Sequence, residues 1–214
     1  LLLPFIGFAQ KQTFDQQLFA SYDDFREVTI DKRRIKHHDI QPLIDSLKTL
    51  KDFDITKLGE SIQERSVSMI SIGEGETDIL LWSQMHGDEP TATAAIFDII
   101  NYFKKDKAIL KNIRVHFIPM INPDGAELFS RRNAIGIDIN RDAVRLQSPE
   151  SELLKRVSDS LDADFGFNLH DQSKYYNAKT TEKPATISFL APAYNFEKDI
   201  NETRGNAMRV IAHM

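Results

Sequence analysis

Residues 78–90 read Asp78-Ile79-Leu80-Leu81-Trp82-Ser83-Gln84-Met85-His86-Gly87-Asp88-Glu89-Pro90. Ile79 to Trp82 is a short unbroken apolar run, which suits a central strand covered on both faces. From Pro90 to Lys105, Ala92, Ala95, Ile96, Ile99, Ile100 and Phe103 fall on one helical face, with Pro90 in the first turn. A buried strand leading into an amphipathic helix is the unit of an α/β layered fold. His86 and Glu89 sit at the junction, where α/β folds place their sites.

The same alternation extends outward. Upstream, Ile40, Leu43, Ile44, Leu47 and Leu50 follow a helical period, with Asp39 as N-cap and Pro42 in the first turn. Ile55 to Gly59 and a polar turn come next. Ser66 to Gly73 alternates like a half-exposed strand, and Gly73-Glu74-Gly75 is a turn. Downstream, Asn112 to Ile121 reads as a strand. Ser148-Pro149-Glu150 opens a helix whose stripe is Leu153, Leu154, Val157 and Leu161. Asp164 to Leu169 and Thr186 to Leu190 read as strands, and Asn195 to Met214 as a helix. Residues 10–35 form an extended or short helical lead-in.

The composition narrows the function classes. With 214 residues and 41% hydrophobic content, the chain is an ordinary globular sequence of about one large domain. A net charge of −5 with no basic block beyond Lys32-Arg33-Arg34 argues against a nucleic-acid partner. Cysteine is absent, so a metal would have to be held by histidine and carboxylate. Leu1 to Ala9 is apolar and uncharged, too short to span a bilayer. It reads as the tail of a secretory signal, with Gly7 and Ala9 before a cut at Gln10. A buried first strand or helix is the alternative. The signal reading predicts an exported protein, periplasmic or extracellular, and no membrane span is expected elsewhere. The oligomeric state is not legible.

His86-x-x-Glu89 and the distant His170, each after an apolar run, could form a zinc site. Two histidines and one carboxylate leave tetrahedral zinc one open position for water. Taken alone, the same residues also fit a chance pair and a solvated surface histidine. Between them lies Ile121-Asn122-Pro123-Asp124-Gly125, a turn by its chemistry. It is followed by Ser130-Arg131-Arg132-Asn133-Ala134-Ile135-Gly136-Ile137-Asp138-Ile139-Asn140-Arg141-Asp142. Arginines beside a hydrolytic metal can grip a carboxylate bidentately or stabilise an oxyanion. A solvated loop balanced by its own aspartates is the other reading.

Taken in order, His86-Gly87-Asp88-Glu89, Asn122-Pro123-Asp124-Gly125, the run from Arg131 to Arg141 and His170 resemble the zinc carboxypeptidase family, the carboxypeptidase A/B-like funnelins. The resemblance spans Lys57 to His170, with an extension toward Met214. It implies a three-layer α/β sandwich, a mixed central sheet with helices on both faces, incomplete at the C-terminus. Residues 51–214 would be the partial catalytic domain, after a lead-in and helix at 10–50 and a signal remnant at 1–9. It also implies one Zn²⁺ per chain, held by His86, Glu89 and His170. Arg131 would polarise the scissile carbonyl, Arg132 being the weaker candidate. Asn140 and Arg141 would bind the free C-terminal carboxylate of a peptide substrate. Asp138 would orient His86 through its second ring nitrogen.

The activity implied is hydrolysis of a C-terminal peptide bond by a metal-activated water. A zinc amidohydrolase of the aspartoacylase type, or a non-catalytic zinc- and peptide-binding relative, are the alternatives. The family's general base is a glutamate at a strand end well beyond the third ligand. Glu182, Glu197 and Glu202 do not fit that description, so the base is expected outside this chain, and both ends of the sequence read as those of a fragment. Asp171 and Gln172 depart from the digestive enzymes. His37 and His38 fit no motif and read as surface residues.

Overall fold

The computed structural model describes residues 13–173 and 175–214. The expected signal remnant at 1–9 lies outside them. The chain forms two compact units, one ending at Asp171 and one running from Gln172 to Met214.

The first unit opens with helix α1, Phe14–Ala20, and helix α2, His37–Leu47. Helix α2 starts earlier than its apolar period suggests. Asp39 is not the N-cap; its carboxylate accepts the Lys36 N–H at 2.8 Å, so capping comes from inside the first turn. Strands β1 (Phe53–Glu60) and β2 (Ser66–Ile72) form a hairpin. Strand β1 was not expected. Its apolar residues, Phe53, Ile55 and Leu58, are diluted by charged neighbours because it lies at the sheet edge.

Strand β3 (Thr77–Trp82), helix α3 (Thr91–Lys105) and strand β4 (Ile113–Ile118) make a parallel β-α-β unit. Next come a short helix α4 (Pro123–Leu128), helix α5 (Pro149–Leu161) and strand β5 (Phe165–Asn168). The expected turn at Asn122 is therefore a helix start: the Asn122 side chain accepts the Gly125 N–H at 2.9 Å.

The sheet order is β1-β2-β4-β3-β5, antiparallel across β1, β2 and β4, and parallel across β4, β3 and β5. Alternating strand residues feed two cores. On β2, Ile70 and Ile72 pack with Ile40, Ile44 and Leu47 of α2 and Ile96, Phe97 and Ile100 of α3. Val67 and Met69 point the other way, toward Leu153 and Val157 of α5. Each fully buried Ile or Phe there contributes about 2 kcal/mol of transfer free energy. Helices thus cover both faces of a mixed sheet, the expected three-layer arrangement in partial form. The parallel strands β3 and β5 point the same way, so the segments after Trp82 and Asn168 emerge at one sheet end.

In the second unit, helix α6 spans Glu202–His213, shorter than expected. Asn201 caps it, while the Asn195 side-chain Oδ1 accepts the Asp199 N–H in a separate turn. No strand forms at Thr186 to Leu190; the segment is irregular, with Ile187, Phe189 and Leu190 exposed. A strand without a hydrogen-bonding neighbour leaves its backbone groups unpaired, and apolar alternation does not compensate. Among the described residues, no helix is long and apolar enough to cross a membrane.

Candidate metal centre

The segment after β3 is built to hold its backbone in place. Gln84 is fully buried with φ of 48°. Its amide donates to the Ile35 and Gly87 carbonyls, and its oxygen accepts from Thr93 Oγ. Gly87 meets Gly125 backbone to backbone: a Cβ on Gly87 would lie 2.0 Å from the Gly125 carbonyl carbon. The Asn122 amide donates to the Met85 carbonyl at 3.2 Å. The His-x-x-Glu and Asn-Pro-Asp-Gly motifs are thus two sides of one backbone contact.

On this frame, His86, Glu89 and His170 bring one ligand atom each within 4.8 Å of one another, and among the described residues they are the cluster that could hold a metal ion. Glu89 lies between the imidazoles, with Oε1 2.8 Å from His86 Nδ1 and Oε2 2.6 Å from His170 Nδ1. His86 is buried and His170 partly exposed. Burial would raise the Glu89 carboxyl, but hydrogen bonds from His170 and His86 outweigh it and pull the pKa down to about 2.

Asp138 accepts three contacts at once. Its Oδ1 lies 3.2 Å from His86 Nε2 and accepts the Asn140 N–H at 3.1 Å, while Oδ2 accepts Arg131 Nε–H at 3.0 Å. Burial would raise its carboxyl, but the Arg131 charge and neighbouring His86 hold it below the usual carboxylate range. Arg131 also reaches the cluster directly, with Nη1 3.1 Å from His86 Nδ1. Arg132 turns away and donates to the Gly136 carbonyl of its own loop.

Asn140 and Arg141 lie in a 3-10 turn, Ile139–Arg141, capped by the Asp138 side chain. Asn140 Oδ1 accepts from the Asn168 amide at 3.3 Å, and the Arg141 guanidinium is exposed. All seven sequence-predicted site residues therefore belong to one connected region. His37 departs from expectation: it is half-buried, with Nε2 2.9 Å from the Ser66 carbonyl oxygen.

The supporting residues were harder to see in the sequence. Glu150 is fully buried, accepting the Ile62 N–H through Oε1 and the Asn133 amide through Oε2. Asn133 in turn accepts the Ile135 and Ile137 N–H groups, which folds the loop presenting Arg131 and Asp138. In sequence, Glu150 looks like an ordinary acidic residue of a helix first turn. Asp124 is equally buried and accepts from Ser61 Oγ, the Gln63 N–H and Arg65.

The contacts of His86 fit a cation. With Nε2–H donated to Asp138, the Nδ1 lone pair accepts from Arg131 but faces a Glu89 oxygen at 2.8 Å. A proton on Nδ1 would satisfy Glu89 and oppose Arg131, so neither state suits both neighbours. A metal ion accepting both the Nδ1 lone pair and the carboxylate satisfies His86 and Glu89 together and leaves the Arg131 Nη1 donor for another acceptor. Two imidazoles and one carboxylate are a donor set suited to zinc.

Residues 43–202 match the zinc carboxypeptidase family. The chain is 24% identical over 225 residues to carboxypeptidase SOL1 of Arabidopsis thaliana, covering 84% of this chain and 44% of that protein. It is 29% identical over 126 residues to carboxypeptidase E of Caenorhabditis elegans, covering 46% and 27%. It thus spans less than half the length of these curated relatives. The fold is similar to a metallo-carboxypeptidase from Pseudomonas aeruginosa solved with (2-guanidinoethylmercapto)succinic acid, with a TM-score of 0.60, 19% identity, and coverage of 64% of this chain and 40% of that one. It is also similar to bovine thrombin-activatable fibrinolysis inhibitor in complex with tick carboxypeptidase inhibitor, with a TM-score of 0.57, 13% identity, and coverage of 71% and 63%. With the family match reaching from helix α2 to beyond His170, the chain belongs to the zinc carboxypeptidase family.

Proposed function

We propose that this chain is the metal-holding part of a zinc metallocarboxypeptidase that releases the C-terminal residue of a peptide, with one zinc on His86, Glu89 and His170. The observation that carries the reading is the position of Asp138. One carboxylate bonds a ligand histidine, Arg131 and the turn bearing Asn140 and Arg141. A metal site alone has no need of that link. A site that must hold a peptide carbonyl at the metal and a carboxylate one residue away does.

When bound, zinc would supply a Lewis acid and lower the pKa of its water to about 7. The protein groups do the rest. Asp138 accepts Nε2–H of His86 and so keeps the Nδ1 lone pair directed into the cluster. Arg131, held through its Nε–H, presents its remaining donors to the scissile carbonyl and stabilises the charge that develops there. Arg141 and the Asn140 amide grip the substrate's terminal carboxylate, placing the last peptide bond at the metal. The general base is assigned to no residue of this chain. Export, read from Leu1 to Ala9, belongs to the same proposal.

The test compares a peptide with its C-terminally amidated form in the full-length protein. The free peptide is expected to be cleaved and the amide spared, with Arg141→Ala raising KM about tenfold to a hundredfold. Equal turnover of both peptides would refute the carboxylate clamp.

A further inference from the structure

We infer that Asp171 is a positioning residue that ties the two halves of the metal triad together. His86 and Glu89 come from the β3–α3 junction, and His170 follows β5, a four-residue strand at the sheet edge. The last backbone bond before His170 is that of the Leu169 N–H to the Trp82 carbonyl at 2.9 Å.

The start of α3 lacks a cap of its own. Pro90 occupies the N-cap position and has no side-chain acceptor, so the first N–H groups of the helix need one from elsewhere. Asp171 supplies it from across the site. Its Oδ1 accepts the Thr91 N–H at 3.0 Å and its Oδ2 accepts the Thr91 hydroxyl at 2.9 Å. The Asp171 backbone N–H donates to Glu89 Oε2 at 3.4 Å. A carboxylate at a helix N-terminus is also favoured by the helix dipole.

The residue next to one ligand is therefore bonded to the helix that starts just after another. Any shift of His170 away from Glu89 strains these contacts, so the ligand separation is set before a metal arrives. Pre-ordering of this kind raises affinity by removing a cost of binding.

The inference rests on the metal reading of His86, Glu89 and His170, and its test separates the two. Zinc affinity is measured by chelator competition in the full-length protein, alongside melting of the metal-free form. Zinc binding by the wild type that is lost in His86→Ala secures the metal reading; no zinc binding by the wild type overturns both. Given binding, Asp171→Ala is expected to weaken zinc affinity about tenfold to a hundredfold. Asp171→Asn, whose amide still accepts from the Thr91 N–H and donates to its hydroxyl, stays within about threefold. A capping role alone would lower the metal-free melting temperature and leave zinc affinity unchanged, and that result overturns the inference. Should Asp171→Ala not fold, Thr91→Val carries the test: it removes one of the two side-chain bonds and is expected to weaken zinc about threefold to tenfold. Unchanged affinity in Thr91→Val would then overturn it.

Discussion

Residues up to Asp171 and those from Gln172 onward use similar amino acids to opposite effect. In the first region, apolar residues close into two cores, and buried polar groups such as Gln84, Asp124 and Glu150 are fully bonded. In the second, Tyr176, Ile187, Leu190 and Phe196 are exposed, and among the described residues Ala191 is the one buried hydrophobic. An apolar strand pattern becomes a strand only where a neighbour pairs with it, whereas helix α6, whose backbone bonds are internal, forms with none of its residues buried. Polar residues become precise parts only where burial makes every lost hydrogen bond expensive.

That contrast can be broken by mutation. The largest expected effect is at Asp124, fully buried against Arg65, Ser61 Oγ and the Gln63 N–H. Asp124→Ala leaves those donors without their acceptor and should destabilise the protein by about 3 kcal/mol, measured by urea unfolding. Glu150→Gln comes next. The amide replaces one charged acceptor with a donor facing Asn133 or the Ile62 N–H, at a cost of about 2 kcal/mol, and the loop bearing Arg131 should gain hydrogen exchange.

A smaller, pH-dependent effect belongs to Asp142. Burial would raise its carboxyl, but the Gln147 N–H and the Ser151 and Ser148 groups that bond it hold it below the usual range. A carboxyl depressed on folding stabilises the protein above its unfolded pKa of about 4, and that stability is lost as the pH falls through the lower folded value. Asp142→Asn should therefore lower the urea midpoint at pH 7 and flatten the acid-side slope. An unchanged slope would show that Asp142 is not one of the groups driving acid unfolding. The smallest effect is expected from Phe196→Ser, within about 0.5 kcal/mol, because that ring is 95% exposed. A large loss there would mean that the second region is packed against something that its exposed side chains do not reveal.

The sequence was most legible where pattern and partner coincide. The run Ile79 to Trp82, the stripe of α3 and the stripe of α5 each appear as read, because sheet and helices bury one another. The ligand candidates were legible because the chemistry restricts residue type at fixed spacing, and because strand ends position them. Strand β1 was obscured by Asp54, Lys57 and Glu60, which an edge position tolerates. Thr186 to Leu190 looked like a strand because alternation says nothing about whether a neighbour exists. The contacts of Glu150 and Asp171 were not legible for another reason: each reaches across many residues, and no local pattern records such a contact.

The central claim is that His86, Glu89 and His170 hold one zinc ion in a site whose second half arrives from β5. Metal analysis of the purified full-length protein tests it most directly. The prediction is one equivalent of zinc in the wild type, lost in both His86→Ala and His170→Ala while their circular dichroism stays native. Zinc retained in either variant, or a wild type that binds none from a zinc-containing buffer, would contradict it.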